Sequence, residues 1–420
     1  MTLPATETLL QTLEARTEEV LVKGEALRNK IIGETMIEVD EDLQLSQVLI
    51  NHCIPKTQMA ELCGWQSVNT FIKNEEKWIA EGSVEETIKI KGKWAYSPYH
   101  IHRILDLLGK PKWSDHERGT HIINVQNQKG GTGKSSLLIN IAQALGLNHE
   151  QRFRILVIDL DPQGSLRTFT KPREYEQDDL DVMTAVDVML GDLEPDSVYQ
   201  TFKNYGYSHQ EIIQEAILET ELPNVQVITA FPEDERFSSI AWEDGNTAGM
   251  VKLLKERIID PVKKDYDLIF IDSGPQVNPL TWSALYAANG VLCPVTPQTL
   301  DWSSTTQFID KIPNMIRQLP EGAEGIRWFK IGITNHDGRL QRDTQMANRI
   351  KDEYGSFVFN QYVDKYHAFE IAARNHRTVM DISDTEKLAP KAQIEGAQAC
   401  VSKFANLLLN HLKDINLKEV

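Results

Sequence analysis

The sequence of 420 residues has few of the features that mark secreted, metal-bound or membrane-spanning proteins. Its four cysteines, Cys53, Cys63, Cys293 and Cys400, form no Cys-x-x-Cys pair, which argues against a disulfide scaffold and against a zinc ribbon. No stretch approaches the ~18 uninterrupted apolar residues of a membrane-spanning helix. The N-terminal residues lack the apolar core of a secretory signal. We therefore expect free thiols and a cytoplasmic protein.

Positive charge is also scarce, since 44 lysines and arginines stand against 61 aspartates and glutamates, a formal net charge of −17. Bulk attraction to nucleic acid is thereby excluded, so any DNA binding must use a local basic surface. Residues 51–110 form the one long region near neutrality, with eight basic and seven acidic residues. The length of the chain predicts about two or three domains.

The N-terminal segment, residues 6–38, has leucines, valines and isoleucines at helical spacing with charged residues between them. This pattern predicts an amphipathic helix. Its apolar stripe needs a partner surface, which is either the rest of the chain or the same helix of a second subunit. We assign residues 1–44 as a dimerisation helix and keep packing on its own chain as the alternative.

A helix-turn-helix pattern follows within residues 45–110, which we assign as the second domain. Residues 56–65 predict a short helix that ends at Gly64, and Ser67 is suited to cap a second helix. Two helices joined by a turn that contains glycine are typical of this DNA-binding motif. The second helix would present hydrogen-bonding side chains to DNA, namely Ser67, Asn69, Thr70 and Lys73.

Residues 88–96 alternate around a glycine turn and predict a β-hairpin after these helices. Three lysines lie near the tip of the hairpin: Lys89, Lys91 and Lys93. The order of helix, turn, helix and basic hairpin favours a winged helix-turn-helix domain that binds DNA. The alternative is a small all-α domain with a solvated basic hairpin.

After a polar segment at residues 109–119, which we interpret as a linker, apolar runs alternate with amphipathic helical segments. The predicted strands are residues 121–125, 155–159, 225–230, 268–272, 290–294, 329–334 and 357–360, and the clearest helices are residues 135–145, 250–259, 279–288 and 303–317. Alternation of strand and helix predicts an α/β fold with a mostly parallel, doubly wound sheet. We assign residues 120–420 to this domain.

A glycine-rich loop connects the first strand of this domain to a helix. Its residues are Lys129, Gly130, Gly131, Thr132, Gly133, Lys134, Ser135 and Ser136. Glycine lets backbone N–H groups turn toward phosphate oxygens, and the helix N-terminus adds its positive dipole end. Lys134 would contact the β- and γ-phosphates of a nucleotide, and the Ser135 hydroxyl would bind magnesium. The strict phosphate-loop pattern fails because Gln128 stands at its first glycine, while a second lysine, Lys129, opens the loop.

Two further motifs place carboxylates where predicted strands end, which is the ligand edge of such a sheet. Asp159 and Asp161 follow the second strand, and Asp272 ends the strand at residues 268–272. In phosphoryl transfer, one carboxylate can hold magnesium and another can orient the attacking water. The loop and the two carboxylate motifs together predict a nucleotide-hydrolysing site.

These three stretches resemble the deviant Walker A branch of P-loop ATPases, the ParA/MinD family. With an N-terminal helix-turn-helix, the chain looks most like the large ParA partition ATPases of plasmids and secondary chromosomes. The resemblance implies a deviant P-loop NTPase fold that uses ATP, ADP and Mg²⁺. It also implies a homodimer that binds nonspecific DNA and hydrolyses ATP slowly. A ParB-type partner and DNA would stimulate that hydrolysis, and the helix-turn-helix would bind the protein's own operator as a repressor.

The resemblance also implies roles for single residues. Lys129 would reach the phosphates of the nucleotide bound by the partner subunit, and Lys134 and Ser135 match the lysine and serine of the family's loop. Asp161 matches the residue tied to hydrolysis, so that the predicted catalytic residues are Lys129, Lys134 and Asp161. The positions that support magnesium match Ser135, Asp159 and Asp272.

Three less specific matches complete this set. Pro297 lies in a proline-rich strand end that resembles the one beside the family's nucleotide, and Asn335 resembles the position near adenine. Residues 363–374 resemble the segment that holds nonspecific DNA, although Lys365 and Tyr366 replace the usual serine–arginine pair. The predicted DNA contacts of this region are Lys365, Arg374 and Arg377, with His376 and Lys391 as nearby alternatives.

The predicted location is therefore the nucleoid in the cytoplasm, with no membrane partner. The alternative is a MinD-like ATPase that acts at a membrane surface through the amphipathic segment at residues 398–413. This segment is only weakly basic, whereas membrane-surface helices favour a clearly cationic polar face. We therefore prefer DNA partition and expect this helix to pack on the sheet.

Overall fold

The computed structural model describes residues 4–40, 43–90, 93–171, 182–243 and 245–415. The strands within these ranges are β1 (Met36–Asp40), β2 (Leu43–Ser46), β3 (Ile54–Pro55), β4 (Ile88–Ile90), β5 (Lys93–Tyr96), β6 (His121–Val125), β7 (Ile155–Leu160), β8 (Leu218–Glu219), β9 (Val225–Ile228), β10 (Leu268–Ser273), β11 (Gly290–Val295) and β12 (Trp328–Ile333).

The α-helices are α1 (Pro4–Glu34), α2 (Gln47–Asn51), α3 (Lys56–Leu62), α4 (Val68–Ala80), α5 (Pro98–Leu107), α6 (Lys134–Gly146), α7 (Ala185–Leu190), α8 (Val198–Asn204), α9 (His209–Ala216), α10 (Arg236–Glu243), α11 (Thr247–Leu253), α12 (Asp260–Val262), α13 (Pro279–Ala287), α14 (Thr299–Arg317), α15 (Gln341–Tyr354), α16 (His367–Arg374) and α17 (Lys391–Lys413). Helix α11 continues as a π-helical segment, Leu254–Ile259. Short 3₁₀ turns lie at Trp113–His116, Ser165–Phe169, Pro232–Glu235, Lys263–Asp265, Gly355–Phe357, Val379–Asp381 and Asp384–Glu386.

A seven-stranded sheet organises the larger part of the molecule, in the order β12-β11-β6-β10-β7-β9-β8. Neighbouring strands are parallel except for the short edge strand β8, which is antiparallel to β9. Strands β6, β7, β10 and β11 are buried along their whole length. Burial on both faces explains their continuous apolar sequences. The predicted mostly parallel, doubly wound sheet is confirmed.

Helices cover both faces of this sheet because alternate strand residues point to opposite sides. Ile123 and Val125 of β6 pack with α6 and α17, whereas Ile122 packs with α7, α9, α10 and α13. Helix α17 buries nine side chains on its inner side, from Ile394 to Leu412. Of the described helices, none is long and apolar enough to cross a membrane.

One predicted strand is absent, and the N-terminal helix is shorter than predicted. Residues 357–360 form no strand, because the chain makes the 3₁₀ turn Gly355–Phe357 and only a single bridge between Val358 and Ile331. The N-terminal helix ends at Glu34 rather than at residue 38. The following residues alternate in polarity and pair as β1 with β2 instead.

Helices α3 and α4 are joined by a turn in which Gly64 has φ 80°, and the hairpin β4–β5 follows them. Strand β3 extends the hairpin into a three-stranded antiparallel sheet. Phe71 of α4 and Tyr96 of β5 are fully buried and meet edge to face at 5.4 Å between ring centroids. The helices and the hairpin therefore share one small core, in the order that the sequence predicts.

A buried carboxylate connects α4 to the hairpin. Glu75 of α4 accepts hydrogen bonds from the Tyr96 hydroxyl and, at 3.3 Å, from the Thr87 hydroxyl. Its other oxygen lies 2.8 Å from the ammonium of Lys56 at the start of α3. Burial, together with the Glu75 carboxylate, raises the pKa of Tyr96. The carboxylate thus holds both helices and the hairpin in one arrangement.

The predicted linker at residues 109–119 is packed against the larger unit. Trp113 is buried against Phe153 at 5.0 Å between ring centroids, and its backbone N–H donates to the carbonyl of Gln151. Further along the boundary, His52 Nε2 lies 2.8 Å from a carboxylate oxygen of Asp381. Both side chains of this pair are buried, so polar as well as apolar contacts attach the N-terminal helices to the α/β unit.

Helix α1 exposes several of its described apolar side chains. Its apolar side chains Leu13, Val20, Val22 and Leu27 are each more than half exposed. Near its C-terminal end, the Arg28 guanidinium donates to the carbonyls of Arg167 and Thr170 at 3.1 and 2.9 Å. These four apolar side chains are therefore open to solvent in the single chain.

We predict that replacing Glu75 by alanine loosens the unit formed by α3, α4 and the hairpin. Loss of the carboxylate leaves the buried Tyr96 hydroxyl and the partly exposed Lys56 ammonium without their acceptor, which costs about 1–3 kcal/mol. Hydrogen–deuterium exchange of α4 amides should become faster by the factor that corresponds to this loss of free energy. Glu76→Ala, at the exposed neighbouring position, is the control. Unchanged exchange in the Glu75 variant would contradict this role.

Candidate phosphate-binding site

The predicted phosphate loop lies at the carboxyl edge of the sheet, between β6 and α6. Strand β6 is flanked by β10 and β11, and β7 lies on the far side of β10. A cleft of about 470 Å³ opens there, formed by the segments that follow β6, β7 and β10. The residues that line it include Gly130, Gly131, Gly133, Lys134, Ser135, Ser136, Asp161, Gln163, Glu235, Gly274, Gln276 and Asn278. The topology therefore brings all three predicted motif regions to one cleft.

Glycines let the loop bend, and they leave the space beside its backbone unfilled. Gly131 and Gly133 have φ of 78° and 75°, in the left-handed region where a side chain would be strained. A Cβ built at Gly130 or Gly131 would meet no atom within 4 Å. The Thr132 carbonyl accepts a hydrogen bond from the Thr334 hydroxyl at 2.7 Å, which holds the middle of the loop. Phosphate oxygens can thus approach the backbone closely.

The start of α6 concentrates positive charge beside the cleft. Lys134 is the first residue of the helix, lines the cleft and is only 7% exposed. No described carboxylate lies within ion-pair distance of its ammonium. A buried ammonium at a helix N-terminus is suited to bind an anion, because the helix dipole adds to the charge. This end of the cleft therefore fits a polyphosphate.

Asp272, at the end of β10, is a buried carboxylate that needs a cation. It is fully buried, and neither of its oxygens has a hydrogen-bond partner among the described residues. The pKa of Asp272 is raised to about 7, mainly by burial and also by the Asp161 carboxylate. The nearby Ser135 hydroxyl and Lys134 ammonium act in the opposite direction and lower this pKa. An unpaired buried carboxylate is costly, and a bound divalent cation would offset that cost.

The residues present fit Mg²⁺ rather than a cation held entirely by protein ligands. No group of three or more His, Cys, Asp or Glu side chains that could hold a metal occurs in the described part of the chain. Mg²⁺ usually takes one or two protein oxygens and completes its shell with water and substrate phosphates. Ser135, which lines the cleft, and Asp272, which lies close to it, can supply such oxygens, so two of the three predicted magnesium positions stay candidates.

The two aspartates after β7 have different surroundings. Asp159 is buried and accepts the backbone N–H groups of Asp161 and Leu166 at 3.0 and 3.2 Å, so that it shapes its own loop. Burial and the neighbouring Asp272 raise the pKa of Asp159 well above its usual range. Asp161 instead lines the cleft, next to Gly274. The predicted catalytic aspartate therefore faces the cleft, whereas Asp159 mainly contacts backbone.

A second pocket of about 240 Å³ adjoins the loop on its other side. It is lined in part by Gly133, Asn140 and Asn335, the last in a left-handed conformation with φ 51°. The predicted place of Asn335 near a nucleotide base stays a prediction. Pro297 is buried in the turn between β11 and α14 and lines neither of the two pockets.

The other predicted lysine of the loop points away from the cleft. The Lys129 N–H donates to Asn127 Oδ1 at 3.0 Å, but the Lys129 side chain is absent from the cleft lining. Its ammonium lies 3.4 Å from Asp301 Oδ1. The loop thus holds one lysine in the cleft and another outside it.

Sequence analysis missed several residues that line the cleft. Gln163 and Gln276 directly follow the aspartate motifs, so their positions in the chain could have suggested them. Glu235 comes from the 3₁₀ turn after β9, far from any motif, and carries no local signal. Only the packing of that turn against the sheet edge brings its carboxylate to the cleft.

The predicted DNA-contact residues fall into two surface regions. Ser67, Asn69, Thr70, Lys73 and Lys89 are exposed around α4 and β4. Lys93 pairs with Ile90 in the hairpin, and Lys91 lies outside the described residues. Lys365 and Arg374 are exposed near α16, where His376 is half-buried and Lys391 pairs with Asp384.

Arg377 does not belong to either surface. It is 6% exposed and lies 2.5 Å from a carboxylate oxygen of Glu386. Its guanidinium is therefore engaged inside the protein and is not available to a DNA phosphate. The local sequence, rich in basic residues, gave no indication that this arginine is buried.

The chain is similar to proteins of known family. Residues 120–322 match the family model described as AAA domain. The Escherichia coli protein named plasmid partition protein A is 25% identical over 334 residues, which covers 77% of this chain and 79% of that protein. The chromosome partitioning protein ParA of Caulobacter vibrioides is 26% identical over 246 residues, covering 58% of this chain and 80% of that protein.

Solved structures show the same fold. A structure described as Partition Protein aligns with a TM-score of 0.64 at 20% identity, covering 96% of this chain and 98% of that one. Cobyrinic acid a,c-diamide synthase from Mycobacterium smegmatis, solved with ADP and magnesium, aligns at 0.51 and 22% identity over 70% of this chain and 96% of that one. The long first alignment extends the shared fold to the N-terminal helices.

We predict that Lys134→Ala weakens ATP binding by about 10- to 100-fold, since a charge-assisted contact with phosphate contributes about 1.5–3 kcal/mol. Isothermal titration with Mg²⁺ and a non-hydrolysable ATP analogue measures the change. Lys311→Ala, which removes an exposed lysine of α14, should bind as the unaltered protein does. Equal affinities in both variants would remove Lys134 from the site.

Proposed function

We propose, from the premise that residues 120–322 form a ParA/MinD-type P-loop domain, that the protein is an ATP-dependent DNA partition ATPase. The observation that carries this proposal is the cleft lined by the buried Lys134 and the N-terminus of α6, with the buried Asp272 close to Lys134 and Ser135. Anionic phosphates and a divalent cation are the ligands that satisfy all three groups. The named partition proteins among the relatives support the cellular role.

The reaction would be hydrolysis of ATP to ADP and phosphate. Loop N–H groups and Lys134 would stabilise the charge that develops on the transferred phosphoryl group. Bound Mg²⁺, held by Ser135 and Asp272, would neutralise the β- and γ-phosphates. Asp161 faces the cleft and would orient the attacking water, while Asp159 would keep the Asp161 loop in place.

We further propose that the protein acts as a homodimer. The exposed apolar stripe of α1, with Leu13, Val20 and Leu27, supports residues 1–44 as a dimerisation segment, because burying these side chains against a second copy is favourable. In an ATP-bound dimer, Lys129 would reach the phosphates of the partner subunit's nucleotide. Residues 120–420 would form the ATPase domain of each subunit.

Residues 45–110 would bind operator DNA as a winged helix-turn-helix domain. The exposed polar face at the start of α4 supports a recognition helix, because its side chains can hydrogen-bond base edges. The hairpin adds Lys89, whose ammonium lies 4.4 Å from the centroid of the exposed Trp94 ring. This domain would allow the protein to repress its own promoter.

A second DNA surface would bind without sequence preference. Lys365 and Arg374 are exposed near α16, close to the pocket at Asn335, so that bound nucleotide could affect this surface. Their charges suit phosphate contacts, which carry no sequence information. A ParB-type partner would stimulate hydrolysis and release the protein from the nucleoid.

The alternative of a MinD-like regulator at a membrane surface receives no support from α17. Its apolar side chains, among them Phe404 and Leu408, are buried on the sheet. A membrane-surface helix needs its apolar face free for the lipid boundary. Helix α17 therefore serves the core of the ATPase domain in this proposal.

We predict that Asp161→Ala separates ATP binding from hydrolysis. The carboxylate would act on the water and not on the nucleotide, so affinity should stay near normal while turnover falls by about 100-fold or more. ATP binding and phosphate release are measured in parallel. Gln214→Ala, at an exposed position of α9, is the control. Loss of ATP binding in the folded Asp161 variant would make this residue a binding group instead.

We also predict that the two DNA-binding surfaces can be impaired independently. Asn69→Ala with Thr70→Ala should weaken binding to upstream DNA and leave ATP-dependent binding to random DNA intact. Lys365→Ala with Arg374→Ala should do the reverse and reduce the salt slope of nonspecific binding by about 1 for each DNA phosphate that is no longer neutralised. Salt titrations on both DNAs test this, and parallel loss of both activities in both variants would contradict two separate surfaces.

A further inference from the structure

One cation of α1 reaches the segment that carries the proposed catalytic aspartate. Arg28 is half-buried, whereas Lys23 and Lys30 of the same helix are exposed. The Arg28 guanidinium donates to the backbone carbonyls of Arg167 and Thr170, at 3.1 and 2.9 Å. These partners lie 139 and 142 positions further along the chain. The contact is therefore tertiary and joins α1 to the α/β unit.

The two carbonyls lie at the end of the 3₁₀ turn Ser165–Phe169. Thr170 is only 5% exposed, and its hydroxyl donates to the Arg167 carbonyl at 2.9 Å. The backbone N–H of Thr170 donates to the same carbonyl at 3.3 Å. The Arg28 guanidinium therefore binds the point at which this turn closes.

The start of the same turn is tied to the buried carboxylate of Asp159. The N–H of the fully buried Leu166 donates to Asp159 Oδ2 at 3.2 Å. Asp159 Oδ1 accepts the N–H of Asp161 at 3.0 Å, and Asp161 lines the cleft. Hydrogen bonds thus connect the cleft to the closing end of the turn, where Arg28 is bound.

The segment also packs against the chain that follows β9. A Cβ built at Gly164 would lie 2.5 Å from the Ala230 carbonyl oxygen, so the two backbones are in close contact. The Arg167 guanidinium lies 4.8 Å from the centroid of the Phe231 ring. These contacts support the middle of the segment, and Arg28 supports its end.

The geometry of the guanidinium suits it to this contact. Nη2 of Arg28 carries two N–H groups in the plane of the guanidinium, and it donates to both carbonyls. The planar group therefore ties the two carbonyls to each other and to α1. An ammonium is a compact charge on a flexible side chain and would hold the two carbonyls less rigidly.

We propose that Arg28 is a positioning residue for ATP hydrolysis, which fixes the closing end of residues 159–170 and through them the Asp161 carboxylate. This inference rests on the proposed function, in which Asp161 orients the attacking water. A catalytic group must be held within roughly 0.5 Å of its working position, and contacts behind it supply that precision. A change in the position of α1 would thus reach the hydrolytic site through Arg28.

Arg28 itself lines neither of the two pockets beside the phosphate loop. Its loss should therefore act on turnover and not on ATP binding. Contacts that act on a site through intervening residues change its function by about two- to 30-fold. We expect an effect of that size on kcat.

The test is ATP hydrolysis by the full chain with Mg²⁺, measured beside the affinity for a non-hydrolysable ATP analogue. Arg28→Ala should lower kcat by about two- to 30-fold and leave the affinity unchanged. Arg28→Lys, which keeps a cationic donor, should recover part of the loss. Lys30→Ala removes an exposed cation from the same helix and should change neither quantity. Rates are compared at a matched state of assembly, which sedimentation measures.

Asp161→Ala separates a positioning role from a general effect on the fold. If Arg28 acts through Asp161, Arg28→Ala has no further effect on the residual hydrolysis of the Asp161→Ala protein. An effect that persists in that background, a weakened ATP affinity or a normal kcat of Arg28→Ala overturns the inference. In each of these cases, slow hydrolysis by Asp161→Ala alone leaves the proposed function standing. Normal hydrolysis by Asp161→Ala contradicts the proposed role of Asp161 and the inference with it.

Discussion

The site depends on one topological constraint, the parallel arrangement of β6 with its neighbours. Because β6, β7 and β10 run in the same direction, their carboxyl ends meet at one edge of the sheet. The phosphate loop, the Asp161 turn and Asp272 come from distant parts of the chain, yet they adjoin one cleft. If β6 ran in the opposite direction, the phosphate loop would lie at the other end of the strands, away from Asp161 and Asp272.

That edge assembles charges that the protein does not neutralise by itself. Lys134 and Asp272 are both buried, and neither is satisfied by a close ion pair with a described residue. Burial of unpaired charge lowers stability, and such strain persists at functional sites because ligands relieve it. Lys129 differs because Asp301 satisfies it outside the cleft. The loop thus places Lys134 in the cleft and Lys129 outside it.

The N-terminal helices are joined to the α/β unit by packed contacts. Trp113 is buried beside Phe153, and the His52–Asp381 pair lies inside the boundary. Val379, two residues before Asp381, donates its N–H to Asn140 of α6, the helix that begins with Lys134. Contacts between packed side chains and backbone therefore connect the N-terminal helices to the helix that begins at the phosphate loop.

The strands and the phosphate loop could be predicted from sequence because their determinants are local. A strand buried on both faces is a continuous apolar run, and the glycines of the loop stand next to the helix that completes it. The strand predicted at residues 357–360 is absent because a short apolar run does not show whether a neighbouring strand will pair with it. The tertiary structure alone decided that Arg377 is buried against Glu386, that Glu235 reaches the cleft and that Asp301 meets Lys129. Burial and ion pairing depend on which distant surfaces meet, and nothing in the neighbouring residues encodes that.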